Sequence, residues 1–162
     1  MNQFANALGK KFIENQDLVR IRSFEMNGHT FKVKVPTTLE YEAILEKIKN
    51  TDENLVNKYY LELSKPFLDK KEEFIKEQEI TYLDDDIIIK DRSLRETAIN
   101  KVITENRILE FFKLLVPEDK EFNMETITYE MVEELFPFSI QLQVIEGISN
   151  TISPNYKESR GK

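Results

Sequence analysis

Asn27-Gly28 stands between two strand-like runs in DLVRIRSFEMNGHTFKVKV, residues 17–35. A two-residue type I′ turn needs positive φ at both central positions, and Asn-Gly meets that need at least cost. A turn at Asn27 and Gly28 fixes the register. Met26 falls opposite His29, Phe24 opposite Phe31, Arg22 opposite Val33 and Arg20 opposite Val35. These residues share one side of the hairpin, so Phe24, Phe31, Val33 and Val35 are expected to be its covered apolar surface. Val19, Ile21, Lys32 and Lys34 point the other way. His29 reads as a solvated residue flanking the turn.

Helical periodicity governs most of what surrounds this hairpin. Phe4, Leu8, Phe12 and Ile13 suggest a short amphipathic helix at the N-terminus. Pro36 closes the hairpin, and Thr37 with Glu40 fits a capping box. Leu39, Tyr41, Ala43, Ile44, Leu45 and Ile48 then build a helix to about Lys49. Asp52 is a natural N-cap for a second helix through Leu55, Val56, Tyr59, Tyr60 and Leu63. Pro66 fits the first turn of a third, where its missing N–H costs little. Phe67, Leu68, Phe74 and Ile75 would be its apolar side, and DKKEEFIKEQE its solvated one. Ile80, Tyr82 and Leu83, then three aspartates, then Ile87-Ile88-Ile89 predict a second short hairpin. Asp91 or Ser93 would cap the longest helix, Leu94 to Val116, which Pro117 stops. Residues 117–127 read as an acidic loop. The fold expected is α+β and mostly α-helical: an N-terminal β-hairpin, a helical body and a second short hairpin. The 162 residues form one domain or two subdomains, 1–78 and 79–153, followed by a flexible polar tail at 154–162.

Composition removes several kinds of chemistry. There is no cysteine and one histidine, so thiolate nucleophiles, disulfides and Cys- or His-pair metal sites are out of reach. No glycine-rich phosphate loop, GxSxG or HExxH occurs. Asp84-Asp85-Asp86 is the one carboxylate cluster that invites a metal. Consecutive residues do not converge on one ion, and a solvated turn is the favoured reading, with a carboxylate-metal enzyme as the remote alternative. Neither catalytic nor metal-binding residues are assigned, no cofactor is expected, and no enzyme activity is expected.

The formal charge is −7, yet residues 1–35 carry six Lys/Arg against three Asp/Glu. An acidic body disfavours nucleic-acid binding, while the basic N-terminal part could dock an acidic partner. No apolar run approaches the roughly 18 residues that span a bilayer. No secretory leader is evident in MNQFANALGKKF, so a cytoplasmic location is expected.

Thr128–Ser149, TYEMVEELFPFSIQLQVIEGIS, is the densest apolar stretch. Thr128 can cap a helix through Met131, Val132, Leu135 and Phe136. Pro137 must kink or restart that helix, because it lacks a donor and clashes with the preceding turn. Ile140, Val144, Ile145 and Ile148 continue at helical spacing. With Leu142 and the two phenylalanines flanking Pro137, apolar side chains occupy more than one side. The segment is therefore expected to divide between core and a contact surface for another chain.

Three stretches carry a family likeness: IIIKDRSLRETA at 87–98, NRILEFFKLLVP at 106–117, and FPFSIQLQVIEGISNTISPNYKESRGK to the end. In these, and in length, acidity and element order, the chain resembles the tail assembly chaperones of long-tailed (siphovirus-type) bacteriophages. The resemblance implies a non-enzymatic protein that binds the tape measure protein, keeps it soluble and promotes assembly of the tail tube. It also implies a longer frameshifted form and the tail tube protein as further partners, residence in the host cytoplasm, and absence from the mature virion. The alternative is a tail or neck component retained in the particle. Core and client-binding residues are together expected among Leu135, Phe136, Phe138, Ile140, Leu142, Val144 and Ile145. Self-association is left open.

Overall fold

A computed structural model describes residues 2–74 and 79–155. Ile75, and residues 156–162 of the expected tail, lie outside the described residues. The chain is α+β and mostly helical, with a two-stranded N-terminal hairpin, a helical body and a later three-stranded sheet. Two compact units are present. One takes the described residues of 1–43 and 108–162, the other residues 44–107. The boundary expected at 78/79 is not where the chain divides. Local sequence order suggests it, whereas distant pairings bring the C-terminal third back to the N-terminal hairpin.

In the first unit, α1 (Gln3–Leu8) and α2 (Lys10–Asn15) are separated at Gly9, whose φ of 104° breaks the single helix expected there. Neither buries a residue. β1 (Ile21–Met26) and β2 (His29–Lys34) pair antiparallel in the register that Asn27-Gly28 dictates. Asn27 and Gly28 have φ of 53° and 83°, the left-handed values of a type I′ turn. The Val35 N–H donates to the Arg20 carbonyl at 2.8 Å, extending the pairing by one position. Phe24 and Phe31 stack across the strands, their centroids 5.2 Å apart. Val33 is fully buried.

α3 (Thr38–Lys49) starts from the expected capping box. The Glu40 N–H donates to Thr37 Oγ1 at 3.2 Å, and the Thr37 N–H donates to Glu40 Oε1 at 3.0 Å. The Arg20 guanidinium also binds Glu40 and donates to the Val35 carbonyl.

The second unit closes around α4 (Glu53–Asp69) and most of α6 (Leu94–Phe112), with Val56 packed against Ala98 and Val102. α4 runs through Pro66 and does not restart there. Pro66 withdraws one backbone donor from the helix, which ends three residues later at Asp69. A short α5 (Lys71–Phe74) follows. β3 (Ile80–Tyr82), β4 (Ile87–Ile89) and β5 (Arg92–Ser93) form the second sheet, one strand more than the hairpin expected. Ser93 caps α6, accepting from the Glu96 N–H at 3.0 Å.

The long helix ends at Phe112, four residues short of Val116. After a turn at residues 113–114, Leu115 bridges to Val33 of β2: the Lys34 N–H donates to the Leu114 carbonyl, and the Val116 N–H to the Lys32 carbonyl. Pro117 biases Val116 away from helical backbone, and the open edge of β2 takes up the freed groups. α7 (Tyr129–Leu135) and α8 (Phe138–Ile152) complete the first unit, and α8 packs on the hairpin. The contact is close at Gly147, where an added Cβ would lie 2.4 Å from the Phe24 ring. Arg22 ties down the end of α8, donating to the Thr151 and Ser153 carbonyls at 2.8 and 3.0 Å. These carbonyls have no partner within the helix, and a guanidinium also complements the negative end of the helix dipole.

Candidate partner-binding surface

The apolar segment around Pro137 is two helices, not one bent helix. Thr128 caps α7, its Oγ1 accepting from the Met131 N–H at 3.3 Å. Phe136 is extended, at φ −127° and ψ 127°, as a residue before proline prefers. Pro137 then precedes the first turn of α8, where no donor is needed. Gln141 holds the junction. It is buried, its Nε2 donates to the Phe136 carbonyl at 2.8 Å, and its Oε1 accepts from the Tyr129 hydroxyl at 3.0 Å. One amide thus binds both the start and the end of α7 to α8.

This junction sorts the seven residues expected to mix core with contact surface. Val144 is fully buried. Phe136, Ile140 and Ile145 are half-buried, with the Phe136 ring set against Phe112 at a centroid distance of 5.5 Å. Leu135, Phe138 and Leu142 are 73%, 52% and 45% exposed. Phe138 and Leu142 are one turn apart on α8 and share a face; Leu135 precedes them across the break.

Beside Leu135 the structure opens an apolar groove of about 380 Å³. One wall is β2 with Phe31 and Lys32, continued by Leu115 and Val116. The other is the 118–127 loop with α7, where Phe122, Met124, Met131 and Leu135 face the opening. Leu135 and Phe136 are the two of the seven expected residues that line it. The other five, all on α8, do not. His29 stands at the rim with its ring edge-on to Phe31, 4.5 Å between centroids.

Phe122, Met124 and Ile127 belong to the stretch that reads, from sequence, only as an acidic loop. Their signal is weak: three apolar residues in an eleven-residue polar stretch, with no period to join them. Met131 and Val132 are legible as the apolar side of α7, but not as groove lining.

Charge is unevenly placed around the groove. The stretch 118–135 holds seven carboxylates against one lysine, Lys120, and all seven are exposed. Lys113 is largely buried and binds Glu110 at 3.2 Å and Glu125 at 3.8 Å.

The aspartate cluster in the other unit has a structural occupation. Asp86 accepts from the Ile87 and Arg95 N–H groups at 2.8 and 3.0 Å and from the Ser93 hydroxyl. Burial pushes its carboxyl up, but these hydrogen bonds and the Arg95 charge outweigh burial and hold it below the usual range. Among the described residues, no group of three or more His, Asp or Glu side chains is placed to hold a metal ion. Nor, among them, is any helix long and apolar enough to cross a membrane.

No family model, curated protein or solved structure matches the chain.

Proposed function

We propose that the chain is a tail assembly chaperone of a long-tailed bacteriophage. It binds the tape measure protein, keeps that long helical client soluble in the host cytoplasm, and promotes tail tube assembly around it. The observation that carries the reading is the exposed trio Leu135, Phe138 and Leu142. It lies in the same C-terminal stretch whose sequence resembles these chaperones. Large apolar side chains left in water cost roughly 25 cal/mol per Å², and three of them exposed within eight residues suit a surface that is covered in use. Acidic residues nearby would keep a chaperone–client complex dispersed.

The test is co-expression with the tape measure protein of the same phage. The wild-type chain is expected to bring that client into the soluble fraction and to co-purify with it. Phe138→Asp with Leu142→Asp, both at exposed positions, is expected to abolish co-purification while the circular dichroism spectrum is retained. Unchanged capture by this variant would overturn the assignment of the surface. Recovery of the chain as a stoichiometric component of purified virions would overturn the function, because a chaperone leaves before maturation.

A further inference from the structure

The groove beside Leu135 is distinct from the Phe138/Leu142 face, and its construction limits what can enter it. β2 forms one wall, and only the Lys32–Lys34 part of its outer edge is paired. It hydrogen-bonds β1 on one side and residues 114–116 on the other. Pro117 then removes a backbone donor from the next position. An incoming strand therefore finds only the short His29–Phe31 stretch to pair with, and recognition rests mainly on side chains. What the groove offers is apolar: Phe31 and Leu115 from one wall, Phe122, Met124, Met131 and Leu135 from the other. Met131 and Phe122 are 44% and 40% exposed, so this lining is only partly covered by the chain itself. Methionine adapts to the shapes of different apolar side chains, which suits a surface reading a stripe instead of one fixed residue.

The two banks differ in charge. The stretch that forms the loop and α7 carries seven exposed carboxylates, of which Glu118 lines the groove, whereas Lys32 is the basic side chain lining it from β2. From this asymmetry we infer that the groove takes an amphipathic helix whose apolar stripe is bordered along one edge by Lys and Arg. That basic edge lies over the loop and α7, and the apolar stripe enters the groove. The inference rests on the chaperone reading for the identity of the client, and it specifies which of the client's helices would be held. Exposed carboxylates on the loop and α7, of which Glu118 lines the groove, raise the encounter rate with such a helix and disfavour helices bordered by Asp or Glu.

The experiment uses synthetic helical peptides of about 18 residues, five turns long, with leucines at i, i+3, i+4 and i+7. One carries lysines along the stripe, a twin carries glutamates there, and a third scrambles the lysine peptide. Binding to the full chain is read by fluorescence anisotropy. The lysine peptide is expected to bind at least about tenfold more tightly than either control. Its affinity should fall as salt rises. Leu135→Asp and Met131→Asp should each weaken it about tenfold or more, and the exposed-charge variant Glu118→Lys with Glu121→Lys should erase the preference over the glutamate twin.

Equal binding of the scrambled peptide would reduce the effect to bulk charge and overturn the inference. So would binding that survives both apolar-to-Asp variants in folded protein. Self-association abolished by Leu135→Asp, without peptide binding, would assign the groove to a second copy and overturn it too. These outcomes separate from those of the co-expression test. Tape measure capture without peptide binding removes the groove inference alone; peptide binding without capture removes the proposed function alone.

Discussion

Gly147→Ala is a substitution for which two ordinary rules predict opposite signs. Gly147 is inside α8, where replacing glycine by alanine normally stabilises by about 1 kcal/mol. A steric clash opposes that gain and outweighs it. The new Cβ would lie 2.4, 2.7 and 2.8 Å from three carbons of the Phe24 ring. Carbon atoms pack at about 3.5–4.0 Å, so ring and helix must separate by roughly 1 Å. Phe24 is poorly placed to yield, because it is stacked on Phe31. Overpacking costs about 1–3 kcal/mol, and three ring contacts this short place Gly147 in the upper part of that range, so after the propensity gain the net expected is a loss of about 1–2 kcal/mol. For a chain of this size that corresponds to a melting temperature lower by roughly 2–8 °C. Urea unfolding followed by circular dichroism reads the free energy. The Phe24→Leu background separates clash from any other cause: Gly147→Ala should become neutral or stabilising there, with a coupling energy of about 1 kcal/mol or more. A Gly147→Ala protein as stable as wild type, or one whose cost is the same with leucine at position 24, would refute the close-approach argument.

Gln141→Leu should destabilise by about 1–3 kcal/mol, since it keeps the bulk but withdraws the donor from the Phe136 carbonyl and the acceptor from Tyr129. A urea midpoint equal to wild type would show that the α7–α8 junction is held by packing alone. Acid should weaken the fold through Glu40 and Asp86. Burial raises both carboxyls. Hydrogen bonds and positive charge, from Thr37 and Arg20 at Glu40 and from Ser93 and Arg95 at Asp86, lower them further than burial raises them. A carboxyl with a depressed folded-state pKa contributes stability above the ordinary value near 4, and loses it as pH falls through the folded value. Urea midpoints should therefore drop below about pH 4, and Glu40→Gln with Asp86→Asn should lower stability at pH 7 while flattening that drop. An equally steep acid response in the double variant would place the effect on other groups.

The features legible in the sequence are those set by neighbours a few residues apart. Asn27-Gly28 dictates a register, Thr37 and Glu40 a capping box, Ser93 and Thr128 two further caps, and Pro137 a break. Each depends on backbone geometry within one turn or one helical start. What escapes depends on residues far apart in the chain. Pro117 signals that the helix must end, but not that it ends as early as Phe112; the bridge of Leu115 to Val33 on the edge of β2 does that. Gln141 looks like a polar interruption in an apolar stripe, yet it is buried because the Phe136 carbonyl and Tyr129 hydroxyl meet it. The candidate surface is half legible. Periodicity identifies Phe138 and Leu142 as neighbours. The groove wall formed by Phe122 and Met124 requires the loop to fold back on β2.

The contact between Gly147 and Phe24 also sets a timetable for synthesis. The helix that covers Phe24 begins about 110 residues after it. At roughly 5–20 residues per second, the interval before Gly147 is made is on the order of ten seconds. All of residues 44–107 are made within that interval, so Val56, Ala98 and Val102 are available to close their own core first. The hairpin, although made before the elements that cover it, is among the last to be sheltered. Its Lys32, Lys34, Arg20 and Arg22 are then an asset, because like charges keep waiting hairpins on neighbouring nascent chains apart.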